Sequence, residues 1–200
     1  MNREKDIKEL LISNTIRVIA NGGFEKATTK ELTQVGDSLS SQKINEVYIY
    51  RIFGSKEKLF EAAFLQLDDE LFLAFRDAFD DVAKFDSNRK ERFYRYFLQV
   101  WNFIMSNEDK CRCYMRYCYS VYFRNDSEKY HSENFNNVVN NIAPYFKSEV
   151  SLSAVMHSVF AILLDFAVQA YNGQIADDEN TKSQIFNTIY TMILPYFKEA

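Results

Sequence analysis

The chain has 200 residues, 47% of them hydrophobic, which is enough for one large domain or two small ones with a sizeable core. Five glycines and two prolines are few for this length, which disfavours a sheet-rich fold and predicts an all-α protein. The net charge of −4 argues against a partner held only by bulk attraction to phosphate.

The composition also indicates where the protein works. Cys111, Cys113 and Cys118 lie close together and do not form the even, spread set that is typical of a secreted disulfide framework. The N-terminus is charged rather than apolar, which argues against a signal peptide. The apolar run at about 151–171 contains polar and charged residues, which disfavours a membrane span. We therefore expect a cytoplasmic protein that does not bind a membrane.

Charge and aromatic residues are divided unevenly along the chain. Residues 1–60 carry ten Lys and Arg against eight Asp and Glu, whereas the remainder carries fourteen against twenty. Five aromatic residues lie in the first sixty positions and twenty-seven follow. The sequence predicts a small polar head, residues 1–54, and a larger aromatic body, residues 55–200.

The head begins with an amphipathic helix over residues 5–21. Ile12, Ile16 and Ile19 recur at helical spacing, and Gly22-Gly23 supplies a C-terminal stop. A short second helix is predicted to begin near Thr28, because Glu31 three residues later completes the pattern of a capping box. The polar stretch 36–43 is typical of a loop.

The stretch INEVYIYRIFGSKEKLF, residues 44–60, combines strand-forming residue types with a helix start. A strand would need a partner, and no later segment offers one, because the rest of the chain has a helical period. In a helix over residues 45–52, Ile49, Ile52 and Phe53 share an inward face, and Asn45 is a reasonable N-cap. We therefore predict a short helix followed by a longer one from Ser55 to about Phe79.

Five further helices are predicted in the body. The first two carry apolar stripes that include Trp101 and Cys111, and the third covers about 128–143. The helix at about 151–172 is more apolar than one buried face requires, and the last, at about 180–198, carries apolar residues on one side with rings beside them. Together they are the candidates for a helical dimer interface. The candidate interface residues are Val155, Val159, Phe160, Leu163, Ile185, Ile189, Met192 and Ile193.

The segments APYFKSE and LPYFKEA echo each other fifty-one residues apart, each at the end of a predicted helix. The sequence around them shows no sustained period, so we interpret the echo as chance rather than as the mark of a duplicated unit.

The motifs of the head occur in a recognisable order. They are an amphipathic first helix, Gly23-Phe24, Thr28 with Leu32, Tyr50 with Phe53, and Ser55-Lys56-Glu57 followed by Leu59. Over about residues 7–64 this order resembles the N-terminal DNA-binding domain of the TetR family of helix-turn-helix transcriptional regulators. The resemblance implies a dimeric regulator, a repressor, that binds a palindromic operator through the head and a small effector through the body.

The candidate DNA-binding residues follow from that resemblance together with the helix phases. Those nearest the bases lie at the start of the third helix, where Asn can pair with adenine and Glu can accept from cytosine. Tyr50 resembles the family's phosphate-contacting tyrosine, and Lys56 lies at a helix N-terminus, which favours phosphate. The full set is Thr28, Thr29, Lys30, Lys43, Asn45, Glu46, Tyr48, Tyr50, Arg51 and Lys56. Alternatively, the two tyrosines cover the core of the head and Lys56 is ordinary surface.

One feature departs from the family pattern. The tight turn between the second and third helices is replaced by a connection about six residues longer, whose excess is residues 37–43. We expect this excess to affect the angle between the second and third helices and therefore how the third helix docks on DNA.

The body is dense in rings, which favours a flat, hydrophobic or cationic effector held by stacking. The candidate effector-binding residues are Phe97, Trp101, Tyr114, Tyr117 and Tyr122, with ordinary core packing as the alternative. On a helix, Cys111 and Cys118 are about 10.5 Å apart along the axis, too far for a shared disulfide or ion. No phosphate loop, metal motif or activated nucleophile is visible, so we expect neither an enzyme nor a cofactor. The alternative function is a helical ligand-binding dimer of the same fold whose DNA recognition is altered or lost.

Overall fold

The computed structural model describes residues 3–35, 42–84 and 87–198, and the described chain is almost entirely helical, which confirms the predicted all-α class. Two strands of two residues each interrupt the helices near the N-terminus. The elements are α1 Arg3–Lys26, α2 Thr29–Leu32, β1 Gln34–Val35, β2 Gln42–Lys43, α3 Val47–Phe53, α4 Lys56–Val82, α5 Arg89–Ser106, α6 Glu108–Cys118, α7 Asp126–Ile142, α8 Leu152–Tyr171 and α9 Glu179–Ile193. Short 3₁₀ turns, Ala143–Tyr145 and Leu194–Tyr196, follow α7 and α9.

Packing divides the chain into two compact units. The first comprises Met1–Glu70 and Glu108–His131, and the second Leu71–Asn107 and Ser132–Ala200. The first unit therefore includes α6, which lies far from the head in sequence. The functional boundary between residues 54 and 55 stays a prediction.

The core of the first unit forms around α1. The predicted stripe of Ile12, Ile16 and Ile19 is buried, together with Leu59 and Phe60 of α4. The predicted end of the first helix is also present, although the helical path resumes for a few residues after it. Gly23 breaks the helix with φ 71°, a left-handed value that glycine adopts without strain.

The extra residues between the second and third helices form the base of a β-hairpin. Gln34 pairs with Lys43, and Val35 pairs with Gln42, in antiparallel register. Next to this ladder, the Ile44 N–H donates to the Thr33 carbonyl over 2.9 Å. The insertion therefore closes on itself at its base, so that α3 starts beside the end of α2. Residues 37–41 of the predicted excess lie outside the described residues.

The ambiguous stretch is a helix, as predicted. In α3 Ile49 is completely buried, and Ile52 and Phe53 are half-buried on the same side. Asn45 caps the helix, because its Oδ1 accepts from the Val47 N–H over 3.0 Å. The strand-forming composition of this stretch therefore reflects packing against the head, which overrides local preference.

The core of the second unit is formed by side chains of α5, α8 and α9 and of the segment after α7. A cluster of Phe146, Leu152, Ile193 and Phe197 is surrounded by half-buried apolar residues. Trp101 of α5 is completely buried, and its Nε1 donates to the Asp177 carboxylate over 2.8 Å. The hydrogen bond satisfies the one polar group of this large side chain.

The two PYFK segments, interpreted above as a chance echo, pair with each other. The Lys147 N–H donates to the Tyr196 carbonyl over 2.9 Å, and the Lys198 N–H donates to the Tyr145 carbonyl over 3.0 Å. Each lysine ammonium also donates to the carbonyl of the opposite segment's proline, over 2.9 Å. The Phe146 and Phe197 rings lie 4.5 Å apart at the centre. The two similar segments thus form matching hydrogen bonds with each other and join the ends of α7 and α9.

Among the described helices α8 is long and apolar enough to cross a membrane by length and composition, with a mean hydropathy of 1.6. Core helices of soluble proteins pass the same test. Leu163, Leu164 and Ala167 of α8 are buried in the second unit, but only 22% of the apolar window is buried within the chain. Leu152 is also buried, the other large apolar side chains of the helix are half-buried, and its exposed residues are small or polar.

Candidate nucleic-acid interface and effector cavity

The position of α2 depends on a residue that the sequence analysis missed. Asn14 of α1 is buried, and its Nδ2 donates to the carbonyls of Glu31 and Leu32 over 2.9 and 2.8 Å. Its Oδ1 accepts from Arg17. Asn14 thus satisfies carbonyls at the end of a short helix and fixes that helix to α1. A polar residue among the apolar positions of the first helix was the only signal for this role.

At the start of α2, Thr28 is exposed and its Oγ1 accepts from the Glu31 N–H over 3.2 Å, which is the predicted capping bond. Thr29 is half-buried and Lys30 is exposed. These side chains therefore lie at the end of α2 whose backbone N–H groups are free of helical partners. Lys43 ends β2, and its side chain lies outside the described residues.

The predicted base-reading residues lie just before α3 and on its first turn. Val47 and Tyr50 are 63% and 54% exposed, Asn45 is exposed, and Glu46 and Tyr48 are half-buried. The Asn45 Nδ2 remains available as a donor while its Oδ1 caps the helix. The exposed side chains thus combine an apolar contact, a phenol and an amide, all of which can reach a base edge or a phosphate.

Arg51 lies on the same exposed side but is not free. Its guanidinium forms an ion pair with Glu4 of α1 and lies 5.0 Å from the Tyr48 ring centroid. The hydrogen bond and the charge of Glu4 raise the pKa of Arg51. The pair is exposed on both sides, so an incoming phosphate can compete with Glu4 for the guanidinium.

Two lysines on the first turn of α4 have different surroundings. Lys58 pairs with Glu61 and lies 3.8 Å from Asp126. Lys56 forms no ion pair with a described residue, and its Nζ lies 5.6 Å from the Phe60 ring centroid. Lys56 therefore presents a charge outside any described ion pair beside the N-terminus of a long helix, a combination that suits phosphate.

The second unit contains a cavity of about 250 Å³. Phe97, one of the predicted effector residues, lines it. Most of the described lining is aliphatic or aromatic, and the charged side chains in it are Arg89 and Arg92 of α5. A mostly apolar cavity with a few polar groups is the usual form of a small-molecule site.

The other predicted effector residues lie elsewhere. Trp101 is in the core of the second unit, stacked on Phe97 with centroids 5.9 Å apart. Tyr114 and Tyr117 are buried in the first unit, where both rings stack on Phe64. Tyr122 follows α6, which ends four residues earlier than the predicted stripe, and packs on Phe24 and Phe60. The structure does not bring these rings together with Phe97 at one cavity.

The predicted dimer residues divide into two groups. Leu163, Ile185, Ile189 and Ile193 are buried inside the second unit. Val155, Val159, Phe160 and Met192 are half-buried, and Val159 lines the cavity together with three of the buried residues. The exposed side of α8 consists instead of Ala154, His157, Ser158, Ala161 and Asp165. The exposed side of α9 consists of Gln184, Asn187, Thr188 and Thr191.

The cysteines are free thiols in the first unit. Cys111 and Cys113 are buried, and Cys118 is half-buried. Burial raises the pKa of Cys113 and of Cys118 to about 12, so both thiols stay protonated at neutral pH. Within the described ranges no group of three or more His, Cys, Asp or Glu residues could hold a metal ion.

Over most or all of its length the chain is similar to solved structures, among them TetR family transcription regulators. A TetR family transcription regulator from Marinobacter aquaeolei has a TM-score of 0.75 at 14% identity, over 100% of both chains. A proposed TetR family regulator from a Shewanella species has a TM-score of 0.71 at 12% identity, over 96% of this chain and 98% of that one. The fatty acid degradation regulator FadR from Bacillus halodurans has a TM-score of 0.63 at 12% identity, over 93% and 97%.

No protein-family model matches the sequence, and no curated protein is similar to it in sequence. At identities this low the structural likeness concerns the fold. The chain therefore has the fold of the TetR family of transcription regulators, as the motifs of the head predicted.

Proposed function

We propose that the protein is a cytoplasmic, dimeric transcriptional repressor that binds a palindromic operator and releases it when a small molecule occupies the cavity of the second unit. It is not an enzyme in this proposal. The observation that carries it is the face formed by Asn45, Val47 and Tyr50 on the TetR fold, with Lys56, outside any described ion pair, on the first turn of α4. A helix of this kind fits the major groove while cations beside it contact phosphate.

Dimerisation is supported by the uncovered side of α8. Val155, Val159 and Phe160 of this apolar helix are only half-buried within the chain, so a partner subunit could cover them further. Small residues, Ala154, Ser158 and Ala161, lie on its exposed side and allow a second helix to approach closely. Two copies related by a two-fold axis would bury this side of α8 and match the symmetry of a palindrome.

Effector control is supported by the cavity and by the continuity of α4. This helix runs without interruption from Lys56 to Val82, and Val82 lines the cavity. A ligand lowers operator affinity only by its difference in affinity for the DNA-bound and DNA-free states. A shift of the cavity end of α4 would supply that difference.

The proposal is tested by selecting genomic DNA fragments on the purified protein and measuring the affinity of the selected sequences at several salt concentrations. We expect a palindromic sequence, a dimer by light scattering, and binding that weakens as salt rises. Only weak binding without sequence preference would contradict the proposal.

A second candidate function is a ligand-binding dimer with altered DNA recognition. It is favoured by the strand pair inserted before α3 and by the ion pair between Glu4 and Arg51. In that case the selection returns no common sequence while the dimer and the cavity remain.

Replacing Glu4 with glutamine should strengthen operator binding several-fold. Arg51 then no longer pairs with a carboxylate that competes with phosphate, and a negative charge that repels the DNA backbone is removed. The measurement is a titration of the selected operator at low salt. Glu9→Gln is the control, since Glu9 lies on the same helix and its ion pair among the described residues is with exposed Lys5. In an Arg51→Gln background the gain from Glu4→Gln should shrink to that of the control, and a persistent gain would show that Arg51 is not the group released.

A further inference from the structure

The cavity-facing side of α5 changes from charged to apolar along the helix. Arg89 and Arg92 come first, Tyr96 follows, and Phe97 and Val100 continue the same side. These positions recur at helical spacing, so their side chains share one face. The helix rises about 16 Å from the first to the last of them. The lining is therefore cationic near the start of α5 and apolar beyond it.

The charges of the two cavity arginines are not paired with a described acidic residue. Arg89 and Arg92 are half-buried, and neither forms an ion pair with a described residue. By contrast, exposed Arg95 on the same helix pairs with Glu91 over 2.9 Å. None of the described lining residues is acidic. Half-buried cations beside an apolar cavity favour an anionic partner, which would compensate the desolvation of the guanidinium groups.

Neighbouring aromatic rings hold Arg89 at the edge of the cavity. Its guanidinium lies 5.1 Å from the ring centroid of Phe197, which is buried against Phe93. Lys90 adds a positive charge 5.8 Å from the ring of Tyr190, another lining residue. A cation fixed against apolar surface interacts more strongly with an anion than one surrounded by water does.

Tyr96 adds a neutral donor to the same region. It follows Arg92 by four residues, so the two side chains are neighbours on the helix surface. Its hydroxyl forms no hydrogen bond with a described residue. Burial raises the pKa of this hydroxyl, so it stays protonated and can donate to an anion.

We propose that the cavity binds a linear amphipathic anion, an apolar chain that ends in a carboxylate or a phosphate monoester. The anionic group lies against Arg89 and Arg92, and the chain extends past Phe97 and Val100 towards Leu163. The inference rests on the proposed function, because it names the chemical class of the effector that binds the cavity. It replaces the flat or cationic effector expected from the ring content, since two cations and no described acid in the lining oppose a cationic ligand.

The test is calorimetric titration of the full-length dimer, without DNA, with decanoate, decyl phosphate, 1-decanol and decyltrimethylammonium. We expect at least one anion to bind at least tenfold more tightly than the alcohol, and the ammonium compound to bind most weakly. Comparison of the two anions identifies the head group. Arg89→Gln with Arg92→Gln should lower the affinity for the anion at least tenfold and change that for the alcohol less than twofold. Arg92→Lys should keep most of the preference, and Arg95→Gln is the matched control.

Equal affinity for the alcohol and both anions would overturn the proposal, and so would binding of none of the four probes. Unchanged anion affinity in the double variant would overturn the roles of Arg89 and Arg92. If the double variant does not fold, the proposal is still tested by comparing the four probes on the natural protein and by the affinity of the Arg92→Lys variant for the anion. The titrations use no DNA, so a protein that binds the anion but no operator refutes the proposed function alone. A repressor released only by a neutral compound refutes this inference alone.

Discussion

The Asp68→Ala variant is expected to lose about 3–5 kcal/mol of unfolding free energy. Asp68 of α4 is completely buried, and its Oδ1 lies 2.8 Å from the His131 Nδ1 and accepts from the Tyr114 hydroxyl over 3.2 Å. These partners belong to α7 and α6, so one carboxylate joins three helices of the first unit. Its removal takes a shared partner from the buried Tyr114 hydroxyl and from the half-buried His131 ring, whose Nδ1 lies 3.1 Å from that hydroxyl, and so weakens this hydrogen-bonding cluster at a desolvation cost.

The measurement is urea denaturation monitored by circular dichroism, with the midpoint and slope fitted together. Asp69→Ala is the control, because Asp69 is the adjacent carboxylate and is exposed, although it accepts from the Tyr130 hydroxyl. We expect the control to lose less than about 1 kcal/mol. The loss of unfolding free energy in Asp68→Asn should lie between those of the two alanine variants, since the amide oxygen still accepts a hydrogen bond. Equal losses for Asp68→Ala and Asp69→Ala would show that the buried cluster does not stabilise the unit.

The Lys56→Gln variant is expected to bind the operator about tenfold more weakly, which corresponds to about 1.4 kcal/mol. Lys56 forms no ion pair with a described residue, although Glu57 follows it in the chain, and it lies at the N-terminal end of α4. Each phosphate that a lysine neutralises releases counterions, so the salt dependence of binding should fall by about one unit of slope. Because such a contact does not read bases, the loss should be similar for related operator sequences.

Lys58→Gln provides a control on the same helical turn with the same change in charge. Lys58 is paired with Glu61 and lies near Asp126, so its charge is already balanced within the protein. We expect its affinity to stay within twofold of the natural protein. If Lys58→Gln weakens binding as much as Lys56→Gln does, general charge rather than a placed phosphate contact determines affinity.

Local sequence patterns were sufficient to predict the helical class and much of the candidate DNA face. The phase of Ile49, Ile52 and Phe53 predicted the inward side of α3, which left Asn45, Tyr48 and Arg51 on other sides of the helix. Such predictions succeed because a helix places residues three and four apart on one side whatever it packs against. The ion pair of Arg51 with Glu4 joins residues far apart in the chain, so no local pattern could indicate it.

The cavity was predicted only in part for a related reason. Ring content identified Phe97 but also Tyr114, Tyr117 and Tyr122, which lie in the first unit. Aromatic side chains fill cores as readily as they line cavities, so composition cannot separate the two roles. The row of Arg89, Arg92 and Tyr96 at helical spacing was the available signal, since charged residues on an otherwise apolar stripe are unusual.

The sequence by itself therefore determined which segments are helices, which residues share a helix face and which family the head resembles. These properties depend on interactions within a few residues. Only the tertiary structure decided that the hairpin base brings α3 back beside α2, that the PYFK segments pair, and that Leu163 and Ile189 line a cavity. Each of these depends on contacts between residues distant in the chain, which form when whole helix faces are buried together.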